Sequence, residues 1–477
     1  MQETPRSATF DWMADGTDGT CHGNMMASPP CPMTQPSQLP QDATVVIADG
    51  PAELPPAGRP TSRAHTLLAG LQLVSVTIGA RVMCSGMILL FSLVMARQAT
   101  PVDFRTYVTI SATVSYLVFF LGFELYTASF RAVASEVAPT GIVLPNSQFA
   151  IHALTYAVAV PILILLGALG LFPPAIVFPI ALIVPAEHFA QEVFRLLLAL
   201  RRPVAANICM VIRQFMPFGV ATVVSLVVDG HTALLVLYVG WALGALSATV
   251  IGMVLTRQNV HWQIPGIDDI VAFLAENFRS IRWFWLQAAA LRLLIVIDIY
   301  FVTGLGTAVE GAAYGLFATI LTIVPVVVES GAVMIAVPDL MRAAGSSNRG
   351  QDEFDKERRR FRYHVGSATI VVSLVLVITG IVLGPHVQPV YFNNFQSAYF
   401  MLILAGVISS AALIPHYELY ALHIDRPNSL ASLGGVIVAV GVLLAVSGFI
   451  SPFWAASARC AGYATVLISK SILIRRI

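Results

Sequence analysis

Residues 81–136 read RVMCSGMILLFSLVMARQATPVDFRTYVTISATVSYLVFFLGFELYTASFRAVASE, and this stretch decides the fold. Its first apolar run carries Arg81 near its start. A short polar link, Arg97 to Tyr107, follows. A second apolar run closes with Gly122-Phe123-Glu124-Leu125 and a polar end. Runs of about 20 residues match a hydrocarbon core of about 30 Å. The stretch therefore predicts two membrane helices joined by a tight turn.

The composition of the whole chain agrees. Of 477 residues, 57% are hydrophobic and 11% charged, with mean hydropathy +0.78. A soluble domain carries about 25% charged residues, so the polar surface here is too small to cover a soluble globule. The net charge of +1 gives no reason to expect a nucleic-acid partner. Cys21, Cys31, Cys84, Cys209 and Cys460 show no ligand spacing, which indicates neither a metal site nor a disulfide framework. Residues 1–65, rich in Pro, Gly, Ser, Thr and Asp, read as a disordered cytoplasmic tail or an extension of the gene model. The tail shows no cleavable h-region. Its Cys21, His22 and Cys31 are too few to make a metal site.

Apolar runs recur near 70–96, 106–127, 148–171, 174–199, 207–228, 233–255, 283–304, 312–338, 364–384, 398–420, 428–449 and 453–473. The expectation is an all-α, polytopic integral membrane protein with about 12 transmembrane helices, because lipid requires backbone groups to be satisfied within each segment. Positive charge collects in alternate links: Arg131, Arg201, Arg202, Arg257, Arg279, Arg282, the run 342–362, Arg426, and then Lys470, Arg475 and Arg476. The opposite links hold only Arg97 and Arg105. This asymmetry predicts a multi-pass protein with both termini cytoplasmic. The mixed-charge run Asp352–Arg362 reads as a solvated cytoplasmic helix.

Aligning Tyr107 with Tyr314 sets Phe91–Arg97 against Asp298–Gly304 and reveals an internal echo. Each half reads helix, short turn, small residues, tyrosine, helix. The expected division is a six-helix bundle at 66–256, a cytoplasmic linker at 257–282 and a second six-helix bundle at 283–477. Six helices per half make a parallel repeat about an axis along the membrane normal, with any substrate site between the halves.

Charges at bilayer depth cost about 2.5–3.5 kcal/mol each on insertion scales and usually face a cavity or a partner. The candidates are Arg81, Glu124, Glu187, His188, Glu192, Arg195, Arg213, Arg292, Asp298, Glu329 and Glu418. Helical spacing puts Glu187, Gln191 and Arg195 on one face, with His188 and Glu192 beside them. That face is either a self-neutralising ladder or a titratable lumen wall. Arg81, Arg213 and Arg292 have no carboxylate one turn away. They face a partner on another helix, snorkel near a helix end (an option for Arg213, close to the cytoplasmic end), or share an anion site, where guanidinium suits phosphate or pyrophosphate. Pro161, Pro179, Pro185, Pro217, Pro325 and Pro415 lie inside predicted helices as candidate kinks. No GxxxxGK[ST], GxSxG or HExxH motif occurs, and Gly304-Leu305-Gly306 follows no strand.

Ala96-Arg97-x-x-x-Pro101-x-x-Phe104-x-x-Tyr107, then Gly122-Phe123 and the polar exit at 131–136, resembles the start of Wzx-type polysaccharide flippases of the MATE-like MOP superfamily. The stretch from Asp298 to Tyr314, Val337-Pro338, and Ile450–Ala456 are similar to later parts of that family. Arg105 replaces a glycine usual in the motif. The resemblance covers about residues 66–477.

The resemblance implies a bacterial inner-membrane flippase for an undecaprenyl-pyrophosphate-linked oligosaccharide, serving exopolysaccharide or O-antigen export by alternating access. It implies no enzyme activity and no cofactor beyond a proton or sodium gradient. Its partners would be the lipid-linked sugar, membrane lipids and other polysaccharide-assembly proteins. Arg81, Arg292, Arg213 and Arg195 are the expected substrate-binding cations. Glu187, Asp298, Glu329, His188 and Glu192 are the coupling candidates. Two rivals stand beside this reading. A MATE-like drug or cation antiporter usually carries an acid in its first helix, where this chain has Arg81. A membrane-embedded polysaccharide polymerase or ligase tends to carry a large outer loop, and the links here are short.

Overall fold

A computed structural model describes residues 63–127, 144–200, 202–260, 262–345, 350–382 and 384–476. Almost all of them are helical. The helices in chain order are α1 (Arg63–Gln98), α2 (Pro101–Phe120), α3 (Leu144–Ala168), α4 (Pro174–Ala199), α5 (Pro203–Ser225) and α6 (Gly230–Thr256). They continue with α7 (Ile267–Leu305), α8 (Ala308–Val333, running on through Met334–Gly345), α9 (Gly350–Val382), α10 (Pro389–Ala421), α11 (Asp425–Ala445) and α12 (Pro452–Arg475). Each expected apolar run overlaps one of these helices, but the run 106–127 is corrected at its end: α2 stops at Phe120, and Glu124 stands in the link beyond it, where Phe123 and Glu124 take left-handed angles. Residues 1–62 of the proposed tail, and Arg131, Arg201 and Arg349, lie outside the described residues.

Among the described residues, ten helices are long and apolar enough to cross a membrane. The other two long helices, α2 and α12, lie within the bundle. α2 packs on α4, α7 and α8, and α12 packs on α7, α10 and α11. Enclosed helices need no lipid-facing apolar surface, so they tolerate the Thr, Ser and charged residues that lower their hydropathy. By contrast α6 exposes Leu235, Val239, Leu243, Leu246, Val250 and Val254 along one face. Its opposite face buries Ala233, Leu237, Trp241, Ala245 and Ala248. An aliphatic outside at helical spacing fits a lipid environment. The chain is a multi-pass membrane protein.

Two helix starts repeat. Thr100 caps α2, its Oγ1 accepting from Asp103 N at 3.2 Å. Thr307 caps α8, its Oγ1 accepting from Glu310 N at 3.2 Å, while Thr307 N donates to Glu310 Oε2 at 2.8 Å. Such boxes satisfy otherwise orphaned N–H groups at a helix start. Seven residues into each helix stands the tyrosine that aligned the two halves. Tyr107 and Tyr314 are both buried, and each hydroxyl reaches back to the preceding helix, to Ser92 and Asp298 respectively.

The two echoed helices also touch at matching positions. Val108 follows Tyr107 and Gly315 follows Tyr314; a Cβ on Gly315 would collide with the Val108 side chain. A Cβ on Gly311 would meet Arg105 Cδ at 2.8 Å. Gly311 and Gly315 therefore form a small-xxx-small surface that lets α2 approach α8 closely. Contact between corresponding residues is what a pseudo-two-fold axis between α2 and α8 requires.

Two of the links gain detail, and one expected tail cation is corrected. Within the stretch 257–282 the chain becomes helical at Ile267, where Gly266 N donates to Asp269 Oδ2 at 3.0 Å and Asp268 and Asp269 favour the helix start. The run Asp352–Arg362 is helical, as expected, and forms the opening turns of α9 with mostly exposed or half-buried side chains. There Arg362 grips the buried Glu418 of α10 bidentately, at 2.7 and 3.0 Å, and Arg358 Nε reaches the same carboxylate at 3.0 Å. Lys470 was counted with the cytoplasmic C-terminus; it is fully buried in α12 beside His416 Nδ1 at 2.8 Å.

Candidate functional site

Two aromatic rings organise the arginines. Phe194 on α4 lies 5.9 Å from the guanidinium carbon of Arg81 on α1 and 5.9 Å from that of Arg213 on α5. Phe119 on α2 lies 3.9 Å from that of Arg292 on α7 and 5.3 Å from that of Arg195 on α4. Arg195 also covers the Tyr126 ring at 3.8 Å. The quadrupole of an aromatic face attracts a cation, more strongly away from water. All four predicted arginines are thus drawn to rings on α2, α4 and the link after α2. Arg195 and Arg292, from the first and last six helices, meet on one ring.

Glu329 is the carboxylate tied to Arg81 and Arg292 of this group. The cations acting on it are Arg292 and Arg81. It opens a π-helical segment, Glu329–Val333, just after Pro325. Arg213 sits in a second π-helical segment, Val211–Phe215, just before Pro217. A π-bulge re-aims side chains by inserting a residue in the helical register, and such bulges recur at functional sites. Both predicted kinks therefore carry an ionisable candidate.

The polar face of α4 is paired. Arg213 Nε lies 3.4 Å from Glu187 Oε1, and Trp241 Nε1 donates to Glu187 Oε2 at 3.1 Å. Arg213 thus has its carboxylate on another helix, one of the alternatives left open for it; spacing along one helix cannot reveal such a partner. Glu192 accepts from Arg195 at 2.7 Å and from Gln148 of α3. His188 Nδ1 is 2.6 Å from the Tyr156 hydroxyl. Phe123 and Glu124, in the link after α2, take left-handed backbone angles, φ 48° and 54°. This uncommon conformation for bulky residues buries the Glu124 carboxylate, on which the Arg195 charge acts.

Asp298 stands elsewhere, in a closed knot. Arg459 of α12 donates to Asp298 Oδ1 at 2.6 Å and Tyr314 donates to Oδ2. Its own following amide, Ile299 N, also reaches Oδ1 at 2.9 Å. Arg459 was missed in the sequence, although a charge inside the run 453–473 was the available signal. Lys470 and His416 form another buried pair, with Gln287 3.2 Å from His416 Nε2. Phe119, Phe194 and Trp241 carried no sequence signal, because aromatic residues are ordinary in apolar helices.

No protein-family profile and no curated protein matches the chain by sequence. Solved structures do. The lipid II flippase MurJ in an inward closed conformation matches at TM-score 0.65 and 10% identity, over 85% of this chain and 87% of that one. An inward-facing multidrug resistance MATE transporter of the MOP superfamily matches at TM-score 0.60 and 12% identity, over 84% and 97%. A MATE transporter from Vibrio cholerae matches at TM-score 0.60 and 13% identity, over 87% and 99%. Identities this low carry the fold alone, and these neighbours are transporters and a flippase. The chain has the fold of the MOP superfamily transporters.

Proposed function

We propose that the protein is a flippase for a polyprenyl-pyrophosphate-linked oligosaccharide in a bacterial inner membrane. The observation that carries this reading is the meeting of Arg195 and Arg292 on Phe119, with Arg81 and Arg213 on Phe194 nearby. Guanidinium groups gathered on aromatic faces suit a bidentate anion such as pyrophosphate, which would have to compete with the carboxylates already beside Arg195 and Arg213. A pyrophosphate entering between α1 and α7 would compete with Glu329 for Arg81 and Arg292. Glu329 thus holds the cations while substrate is absent and is the coupling candidate most directly tied to them. Asp298 is already answered by Arg459, and Glu187 by Arg213.

Helices 66–256 and 283–477 act as two halves, joined through 257–282, that rock about the contact of α1 and α2 with α7 and α8. Both termini are cytoplasmic, so the sugar leaves on the side of Arg97 and Arg105. Replacing Arg81 or Arg292 with Ala abolishes surface polysaccharide while membrane levels of the protein hold. Normal export by both variants refutes the anion site. Dye extrusion with no effect on polysaccharide would favour an antiporter instead.

A further inference from the structure

α3 and α4 bring together three side chains that the pyrophosphate reading does not use as an anion site. His152 comes from α3, and His188 and Glu192 come from α4. Each is at most 3% exposed. One ligand-type atom of each lies within 4.8 Å of the others. The imidazole rings are 4.2 Å apart between centroids, and His188 Nε2 is 3.6 Å from Glu192 Oε1.

The hydrogen bonding of these rings is incomplete. Neither ring nitrogen of His152 has a hydrogen-bond partner, and His188 Nε2 has only Glu192 Oε1, 3.6 Å away. Buried polar atoms are rarely left so, because each loses its water without replacement. The other nitrogen of His188 is held by Tyr156 at 2.6 Å. With Nδ1–H donating to that hydroxyl, the Nε2 lone pair turns toward His152 and Glu192. A second partner that fixes the tautomer is the usual support of a metal-bound histidine. Gly122 lets the link after α2 pack against this ring: a Cβ there would stand 3.0 Å from His188 Nε2.

We propose that His152, His188 and Glu192 form a binding site for a divalent transition-metal cation of the zinc class. Two imidazole nitrogens and one carboxylate oxygen match that class; calcium and magnesium prefer oxygen ligands. Ligand bonds of about 2.0–2.2 Å draw the three side chains inward and tie α3 to α4. The metal takes Glu192 Oε1 in competition with Arg195. Arg195 then keeps the Tyr126 face and the field of Glu124. The site does not depend on the identity of the transported substrate.

The test uses the full chain purified in detergent and titrated with Co²⁺, whose tetrahedral complexes absorb in the visible. The expected result is one Co²⁺ per chain, displaced by Zn²⁺ and not by Mg²⁺ or Ca²⁺. Zn²⁺ should raise the unfolding temperature in proportion to its occupancy. His152→Phe keeps an aromatic ring in place and Glu192→Gln keeps the shape; each should weaken Co²⁺ binding at least about tenfold while circular dichroism stays helical. Absence of stoichiometric binding overturns the site. So does binding that survives both variants, or that disappears when Cys21, His22 and Cys31 are replaced together.

Discussion

The hairpin of α1 and α2 and the hairpin of α7 and α8 share a geometry and differ in charge. Thr100 and Asp103 stand to Tyr107 as Thr307 and Glu310 stand to Tyr314, with a cap at each helix start. Both tyrosines reach back one helix. Tyr107 finds the neutral hydroxyl of Ser92 at 3.3 Å, while Tyr314 finds Asp298, itself locked by Arg459. The repeated frame conserves backbone geometry because caps and close helix approach define it. The side chains that fill the frame are free to diverge. One hairpin is held by neutral contacts and the other by a buried ion pair.

The largest expected effect separates these two modes. Asp298→Ala strands Arg459 in the bundle and should cost about 3–5 kcal/mol, read as unfolding in detergent. Ser92→Ala removes one neutral bond and should cost about 1 kcal/mol. Equal losses would break the contrast. A smaller effect tests the axis between the hairpins. Gly315→Val should cost about 1–3 kcal/mol by overpacking against Val108. Combining it with Val108→Gly should recover part of that loss, since the two positions correspond; failure to recover would show that they are not interchangeable. The smallest effect concerns the caps. Thr100→Ala and Thr307→Ala should each cost about 1 kcal/mol, and clearly unequal losses would show that the two starts are not equivalent.

Much of the architecture was legible in the chain. Each of the expected apolar runs overlaps a helix, and the tyrosine echo marks corresponding places. The ladder Glu192–Arg195 was also readable, because residues three apart on a helix are neighbours. The site was less legible. Arg213 with Glu187, Arg459 with Asp298, and Arg362 with Glu418 join different helices. Lys470, only a few residues before the C-terminus, resembled a tail cation yet is buried. His152 gave no signal, since a lone histidine in an apolar run has no visible neighbour until α3 is laid against α4.

The sequence by itself determined that this is a helical membrane protein, where its helices lie, and that charge is placed at depth within them. Hydropathy and helical period are local properties, and lipid enforces them segment by segment. Only the tertiary structure decided which charges are answered. It closed Asp298 and Glu187, set Arg195 and Arg292 on one ring, and left the nitrogens of His152 open. Pairing across helices depends on rotation and crossing of whole segments, which packing alone selects.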